Sequence, residues 1–319
     1  LISQSPITQE PIGFVTACHA GDKFMVGATL ASMRHYCPDV PICLIADGDV
    51  DVSDLEAIYD LIVLRIDELP SEKMREMIAG SYRVKLAAMW EGPFEHYVWL
   101  DSDAIVWGDF TNQVRSDLDF QIFWPEISIP SDATEEPAWL SHFYFNLGEI
   151  KKKNLDFEWR GYPYFSAGAY ACRRNVISYD EWSKMEQWGE QTPGLFQFGD
   201  QGILNYMVFS KSQCGEIKID WADLQWSRNF GFDKLIENDP VRGWDLPEEV
   251  SHPVVLHFCG RKPSTLDRRS HCRPYTVARL AHHRRNHSHV GAWRAVLCED
   301  SRSLLKKAWR RFRRMLRAV

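Results

Sequence analysis

Residues 97–107 read Tyr97-Val98-Trp99-Leu100-Asp101-Ser102-Asp103-Ala104-Ile105-Val106-Trp107. An apolar, strand-like run ends in two carboxylates one residue apart. On an extended chain the side chains at i and i+2 point the same way, so Asp101 and Asp103 converge. Two carboxylates that close repel each other unless a proton or a metal intervenes. Oxygen ligands favour a hard divalent ion such as Mg²⁺ or Mn²⁺, which keeps positions open for phosphate oxygens. The stretch therefore predicts a metal–diphosphate site at the end of a buried strand. The plainer alternative is a helix cap or a turn, where Asp-x-Asp is also common.

Working outward, the chain alternates strand and helix patterns. Residues 12–17, 41–46, 61–64 and 97–100 read as strands, and 24–36, 55–59 and 81–90 as helices, with Ser53 or Asp54 capping the second. Val26, Leu30 and Met33 recur at helical spacing. Later, 169–172 and 254–258 read as strands, and 179–187 and 200–209 as helices. Such alternation predicts an α/β fold: a single Rossmann-like, open, mostly parallel sheet flanked by helices. Ligands then bind beyond the carboxyl ends of the strands. The 19–22 loop, the 47–49 loop and Asp101-Ser102-Asp103 all lie at such ends.

Four further segments carry chemistry. Lys85 precedes Asp101 by sixteen residues. Tyr164-Phe165-Ser166-Ala167-Gly168 is a small-residue turn entering a strand. Gly199-Asp200-Gln201-Gly202-Ile203-Leu204-Asn205 opens a helix with an acid and an amide. His257-Phe258-Cys259-Gly260-Arg261-Lys262-Pro263 sets a His at a strand end, followed by two cations. Each alone is weak: a Gly-Asp-Gln helix start is often only a cap, and a single His is more often structural. Together, and in this order, they resemble glycosyltransferase family 8 over about residues 12–263. That family is retaining, metal-dependent and built on the GT-A fold.

The resemblance implies roles. Asp101, Asp103 and His257 hold a divalent ion, Mn²⁺ or Mg²⁺, which grips the diphosphate of a nucleotide sugar, usually UDP-linked. Arg261 or Lys262 adds a cationic phosphate contact. Lys85 reaches the donor sugar or diphosphate. Thr16 and Ala17 line the nucleoside pocket, with Asp47 nearby. Asp200 holds sugar hydroxyls and Gln201 faces the anomeric carbon, making these two the catalytic pair. Gln201 is a neutral amide and a poor nucleophile, which favours same-face attack over a covalent intermediate on Asp200. The chain departs from the family pattern in three places. Ser166 stands where Asn is usual, Lys262 follows His257 by five residues rather than six, and Ser264 replaces a Trp.

Charge divides the chain. Fifteen Lys or Arg and two acids lie from Arg268 onward, a net +13, whereas residues 1–267 hold 22 basic and 42 acidic residues, a net −20. An acidic body argues against nucleic-acid binding. The reading is a GT-A domain over 1–267 and a basic tail over 268–319. Within 301–319, Leu304, Leu305, Ala308, Trp309, Phe312, Met315 and Leu316 share one helical face, and the other carries only cations. That pattern predicts an amphipathic helix lying on an anionic membrane surface. The tail histidines at 271, 282, 283, 287 and 289 read as a solvated, partly flexible segment. The eight cysteines show no zinc-like spacing and fit a reduced compartment.

No signal-peptide or membrane-spanning pattern is visible, while Leu1 leaves an upstream segment open. The expected location is cytoplasmic, peripheral at the inner face of a membrane. A lumenal domain of an anchored enzyme is the alternative. The expected function is transfer of a hexose-type sugar to a saccharide or glycolipid acceptor. The competing readings are a non-catalytic GT-A module that binds nucleotide sugar or glycan, and a sugar nucleotidyltransferase. The second lacks its glycine-rich phosphate loop near the N-terminus.

Overall fold

The computed structural model describes residues 12–123, 127–227, 231–232, 241, 243–260, 262–267, 269 and 272–317. In chain order, β1 (Gly13–His19), α1 (Lys23–Tyr36), β2 (Ile42–Asp47), α2 (Ser53–Tyr59), β3 (Leu61–Arg65) and α3 (Glu72–Ile78) come first. Next come α4 (Leu86–Glu91), β4 (His96–Leu100), β5 (Ala104–Trp107), β6 (Phe120–Phe123), β7 (Ile127–Ser128), α5 (Ala138–Phe143), α6 (Leu147–Lys153) and β8 (Pro163–Tyr164). They are followed by β9 (Ala169–Arg173), α7 (Tyr179–Gln191), α8 (Asp200–Gln213), β10 (Ile219–Ala222), β11 (Gln225–Ser227) and β12 (Val254–His257). Two helices come last, α9 (Arg273–Arg284) and α10 (His289–Arg317).

Seven strands form one sheet in the order β10-β6-β9-β4-β1-β2-β3. β1 runs parallel to β2 and β4, while β9 is antiparallel to both β4 and β6. The sheet is mostly parallel, as the alternation predicts. Both of its faces are covered, which is why β1, β2 and β4 read as near-continuous apolar runs. Alternation sorts their side chains. Phe14, Cys18, Leu44, Val98 and Leu100 join the cluster beneath α1, and Val15, Ala17, Ile45, Tyr97 and Trp99 join the cluster on the opposite face.

A smaller sheet, β11-β12-β5, stands beside the first. β12 is antiparallel to β5, with His257 opposite Ala104. The expected helix over 81–90 is split. Ser81 caps a 3₁₀ turn over Tyr82–Lys85, and α4 starts at Leu86. Neither Ser53 nor Asp54 caps α2; the Asp51 carboxylate accepts from the Ser53 N–H and hydroxyl instead. α7 opens with a reciprocal Ser178–Glu181 capping box.

Packing does not stop at the charge boundary near residue 268. α9 buries Tyr275, Val277 and Ala278 in the cluster that contains Val26 and Leu30 of α1. The tail histidines are not uniformly solvated either. His282 Nδ1 lies 2.8 Å from the Tyr59 hydroxyl, and His283 lies 2.7 Å from Glu299; His271 falls outside the described residues. Among the described residues no helix is long and apolar enough to cross a membrane, and no disulfide joins any cysteines.

Candidate active site

The Asp101-Ser102-Asp103 turn is held from three directions. The Asp101 N–H donates to the Gly168 carbonyl at 2.8 Å, and the Phe258 N–H donates to the Asp103 carbonyl at 3.0 Å. The Thr29 hydroxyl of α1 donates to the Ser102 carbonyl at 2.9 Å. These bonds fix the backbone, so the carboxylates need not pay for ordering when a ligand arrives.

The register of β12 against β5 carries His257 to this turn. Its Nε2 lies 3.3 Å from Asp103 Oδ1 and 3.7 Å from Asp101 Oδ2. One atom each from Asp101, Asp103 and His257 lies within 4.8 Å of the others. This close approach depends on Gly168. A Cβ there would sit 2.1 Å from the His257 ring.

Cations surround the acids. The Lys262 ammonium contacts Asp103 and, at 3.1 Å, the Phe258 carbonyl. The Lys85 ammonium lies 2.6 Å from Asp200 and 3.4 Å from Asp101, and donates to the Ala167 carbonyl at 2.8 Å. An ammonium has three N–H donors. Lys85 thus stands between the two acids and is tied to the Ala167 backbone. Burial opposes its charge, but Asp101 and Asp200 outweigh burial and hold its pKa above the ordinary lysine value. Burial raises the Asp200 pKa, and Lys85 offsets part of that.

These groups line a cleft of about 500 Å³ at the carboxyl ends of β1, β2 and β4. Among the described residues, five carboxylates line it, from Asp22, Asp47, Asp101, Asp103 and Asp200, with two ammonium groups, from Lys85 and Lys262. An acidic cleft of this kind repels a bare diphosphate and attracts a divalent cation. The donor set fits such an ion. Two carboxylates with one imidazole suit Mn²⁺ better than an oxygen-only site would.

The remaining expected residues are distributed unevenly. Ala17 lines the cleft. Thr16 is fully buried and is not among the lining residues. Ser166 is buried and is not among the lining residues. Gln201 donates to the Phe143 carbonyl at 3.2 Å, beside the cleft. Asp47 lines the cleft but spends both carboxylate oxygens on the Gly80 N–H. Arg261 lies outside the described residues.

Sequence reading missed the supports. Trp99 Nε1 donates to Asp101 Oδ1 at 2.8 Å; strand alternation places both on one face, so that contact was legible. Asn205 locks the Phe165 backbone by accepting from its N–H at 3.0 Å and donating to its carbonyl at 2.9 Å. That clamp fixes the approach to the 166–168 turn. Gly199, at φ 62°, lies against the Tyr82 ring, which would stand 2.1 Å from an added Cβ. Beside it Phe198 takes φ 47°, and its exposed ring stacks on Phe143 at 5.8 Å.

No family model and no curated protein sequence matches the chain. Solved structures do. The galactosyltransferase LgtC, in complex with donor and acceptor sugar analogues, aligns with 84% of this chain and 95% of its own, at 15% identity and a TM-score of 0.52. The glycosyltransferase GlyE of Streptococcus pneumoniae TIGR4 aligns with 91% of this chain at 14% identity and a TM-score of 0.52. This chain spans 64% of the GlyE chain. Identity this low speaks to architecture alone. The chain has the fold of these glycosyltransferases, the GT-A arrangement that its sequence predicts.

Proposed function

We propose that this protein is a retaining, divalent-metal-dependent glycosyltransferase. It takes a hexose-type sugar from a nucleotide sugar, UDP-linked by preference, to a saccharide or glycolipid acceptor. One observation carries the reading: Asp101, Asp103 and His257 converge within 4.8 Å, and Asp101 and Asp103 line an acidic cleft together with Lys262 and Asp200. A cluster of that composition can hold a divalent cation, and a cation there makes the cleft a place for a diphosphate.

Asp101, Asp103 and His257 hold the ion, with Mn²⁺ favoured by the imidazole. The ion supplies Lewis acidity toward the leaving diphosphate. Lys262 contacts the same phosphates with a flexible point charge. Lys85 pins Asp200 and lowers the repulsion between it and Asp101. An Asp200 carboxylate committed to Lys85 is a weak nucleophile. This favours same-face attack, in which a leaving phosphate oxygen takes the acceptor's proton. Asp200 then steadies positive charge that develops on the sugar ring. The stacked, exposed Phe143 and Phe198 rings offer an acceptor sugar an apolar platform beside Asp200. Phe198's left-handed backbone is strain of the kind held at binding sites.

Residues 301–319 bring the enzyme to an anionic membrane surface. Leu304, Leu305 and Trp309 are exposed on α10, and the intervening sequence is rich in Lys and Arg. The test of the enzymatic reading is a screen of nucleotide sugars for Mn²⁺-dependent hydrolysis. UDP release from one sugar, abolished by EDTA, is expected. No release and no binding of any nucleoside diphosphate would contradict the reading.

A further inference from the structure

The carboxylate of Asp300, on α10, is buried and makes three bonds. Its Oδ2 accepts from the Thr265 N–H at 2.7 Å and from the Thr265 hydroxyl at 2.6 Å. Its Oδ1 accepts from Arg279 Nη1 at 2.9 Å. Arg279 is 1% exposed and also grips Glu299, at 2.7 Å, and the Val296 carbonyl, at 3.0 Å. α9 and this stretch of α10 are therefore fastened together, and α9 is in turn packed on α1.

Thr265 lies three residues after Lys262, in the loop leaving β12. Pro263 stiffens the peptide between them. Lys262, Ser264 and Asp300 also line one small cavity. A larger one, of about 650 Å³, is lined by Lys262, Asp22 and Met25, which also line the cleft, and by Glu299 and Arg302 of α10. The Lys262 loop is thus a wall between the acidic cleft and α10. Anchored at Thr265, it holds its ammonium over Asp103. Without that anchor, the loop borders open space on its α10 side.

We propose that Asp300 is a positioning residue for the donor site: through Thr265 it holds the 262–265 loop so that Lys262 meets the diphosphate. The inference rests on the reading of the cleft as a nucleotide-sugar site. It makes the basic C-terminal segment a working part of that site as well as a membrane contact. No sequence pattern marks this contact, since Asp300 is one of two acids in a strongly basic segment.

A thermodynamic cycle tests the idea on the full-length chain, with UDP and Mn²⁺ as the probe and calorimetry as the readout. Thr265→Val removes one bond to Asp300 and leaves the Arg279–Asp300 pair intact. Asp300→Asn weakens the clamp further. Each is expected to lower UDP affinity, by about 3-fold and about 10-fold respectively, as the loss of one or two charge-assisted bonds suggests. In a Lys262→Ala background the same substitutions should change UDP affinity by less than about 2-fold, because nothing is left to position. A purely structural role would lower affinity equally in both backgrounds, and that result overturns the proposal. So does unchanged affinity in the wild-type background. If the wild-type protein binds no UDP, the cleft reading itself fails and takes this inference with it. Thr265→Val guards against misfolding, since the buried Arg279 keeps all its partners.

Discussion

Gly168 decides how closely His257 approaches the two carboxylates. Its hydrogen is the only substituent that fits, since a Cβ would stand 2.1 Å from the imidazole. The backbone of Gly168 also accepts the Asp101 N–H. Gly168→Ala is therefore expected to push the ring away from Asp101 and Asp103. It should weaken Mn²⁺ binding at least about 10-fold, with a stability loss of roughly 1–3 kcal/mol, typical of overpacking. Mn²⁺ titration and thermal unfolding on the same sample measure the two effects. Unaltered metal affinity would show that His257 is not a ligand. At this scale much of the site was legible. Asp101 and Asp103 meet in a turn, the plainer of the two readings, closed by the Ala104 N–H donating to the Asp101 carbonyl at 2.9 Å, while the i, i+2 rule places Trp99 with Asp101. His257 was not reachable by spacing, because 154 residues and an antiparallel register with β5 separate it from Asp103. Its assignment came from resemblance. Thr16 shows the opposite case. It stands next to Ala17 in the sequence, yet it is fully buried and does not line the cleft.

At the scale of elements, α9 makes a case that composition obscured. Its residues are basic and rich in histidine, so they read as solvated. Their partners lie on neighbouring helices and are invisible locally: Tyr59 for His282, Glu299 and Asp300 for Arg279. Burial, and then the neighbouring His283, pushes the His282 pKa down from 6.5 to about 4. The sign follows from linkage. The unfolded chain binds a proton at His282 below pH 6.5, whereas the folded chain resists it until about pH 4. Stability from this group is complete above pH 6.5 and is lost as pH falls toward 4. Between pH 7 and pH 5 the loss amounts to about 2 kcal/mol. His282→Asn, which keeps an acceptor near the Tyr59 hydroxyl, should remove that share of the decline. Denaturant melts of both proteins at the two pH values check it. Equal declines would show that His282 is not held neutral. The short strands β5 and β6 also escaped the sequence reading.

On the scale of the whole molecule, the large sheet and its helices were legible, since strands buried on both faces announce themselves as apolar runs. The packing of α9 on α1 was not, because a net charge of +13 from residue 268 onward pointed to an anionic partner surface. The two halves of α10 differ in role. Its middle is tied to the body by Arg279 and Thr265, and its end exposes Leu304, Leu305 and Trp309. Binding to anionic vesicles should fall steeply with salt, since each cation near such a surface contributes about 1 kcal/mol. Deleting residues 301–319 should abolish it and leave the Asp300 clamp in place. Cosedimentation that survives the deletion would assign membrane contact elsewhere.

In the proposed function, Asp101, Asp103 and His257 hold an ion that grips a diphosphate. Electron paramagnetic resonance of Mn²⁺ titrated into the protein, with and without UDP, tests it most directly. One bound ion per chain is expected, with a spectrum that changes when UDP is added and loss of both signals in Asp103→Ala. Mn²⁺ binding that persists in Asp103→Ala, or a spectrum indifferent to UDP, would contradict it.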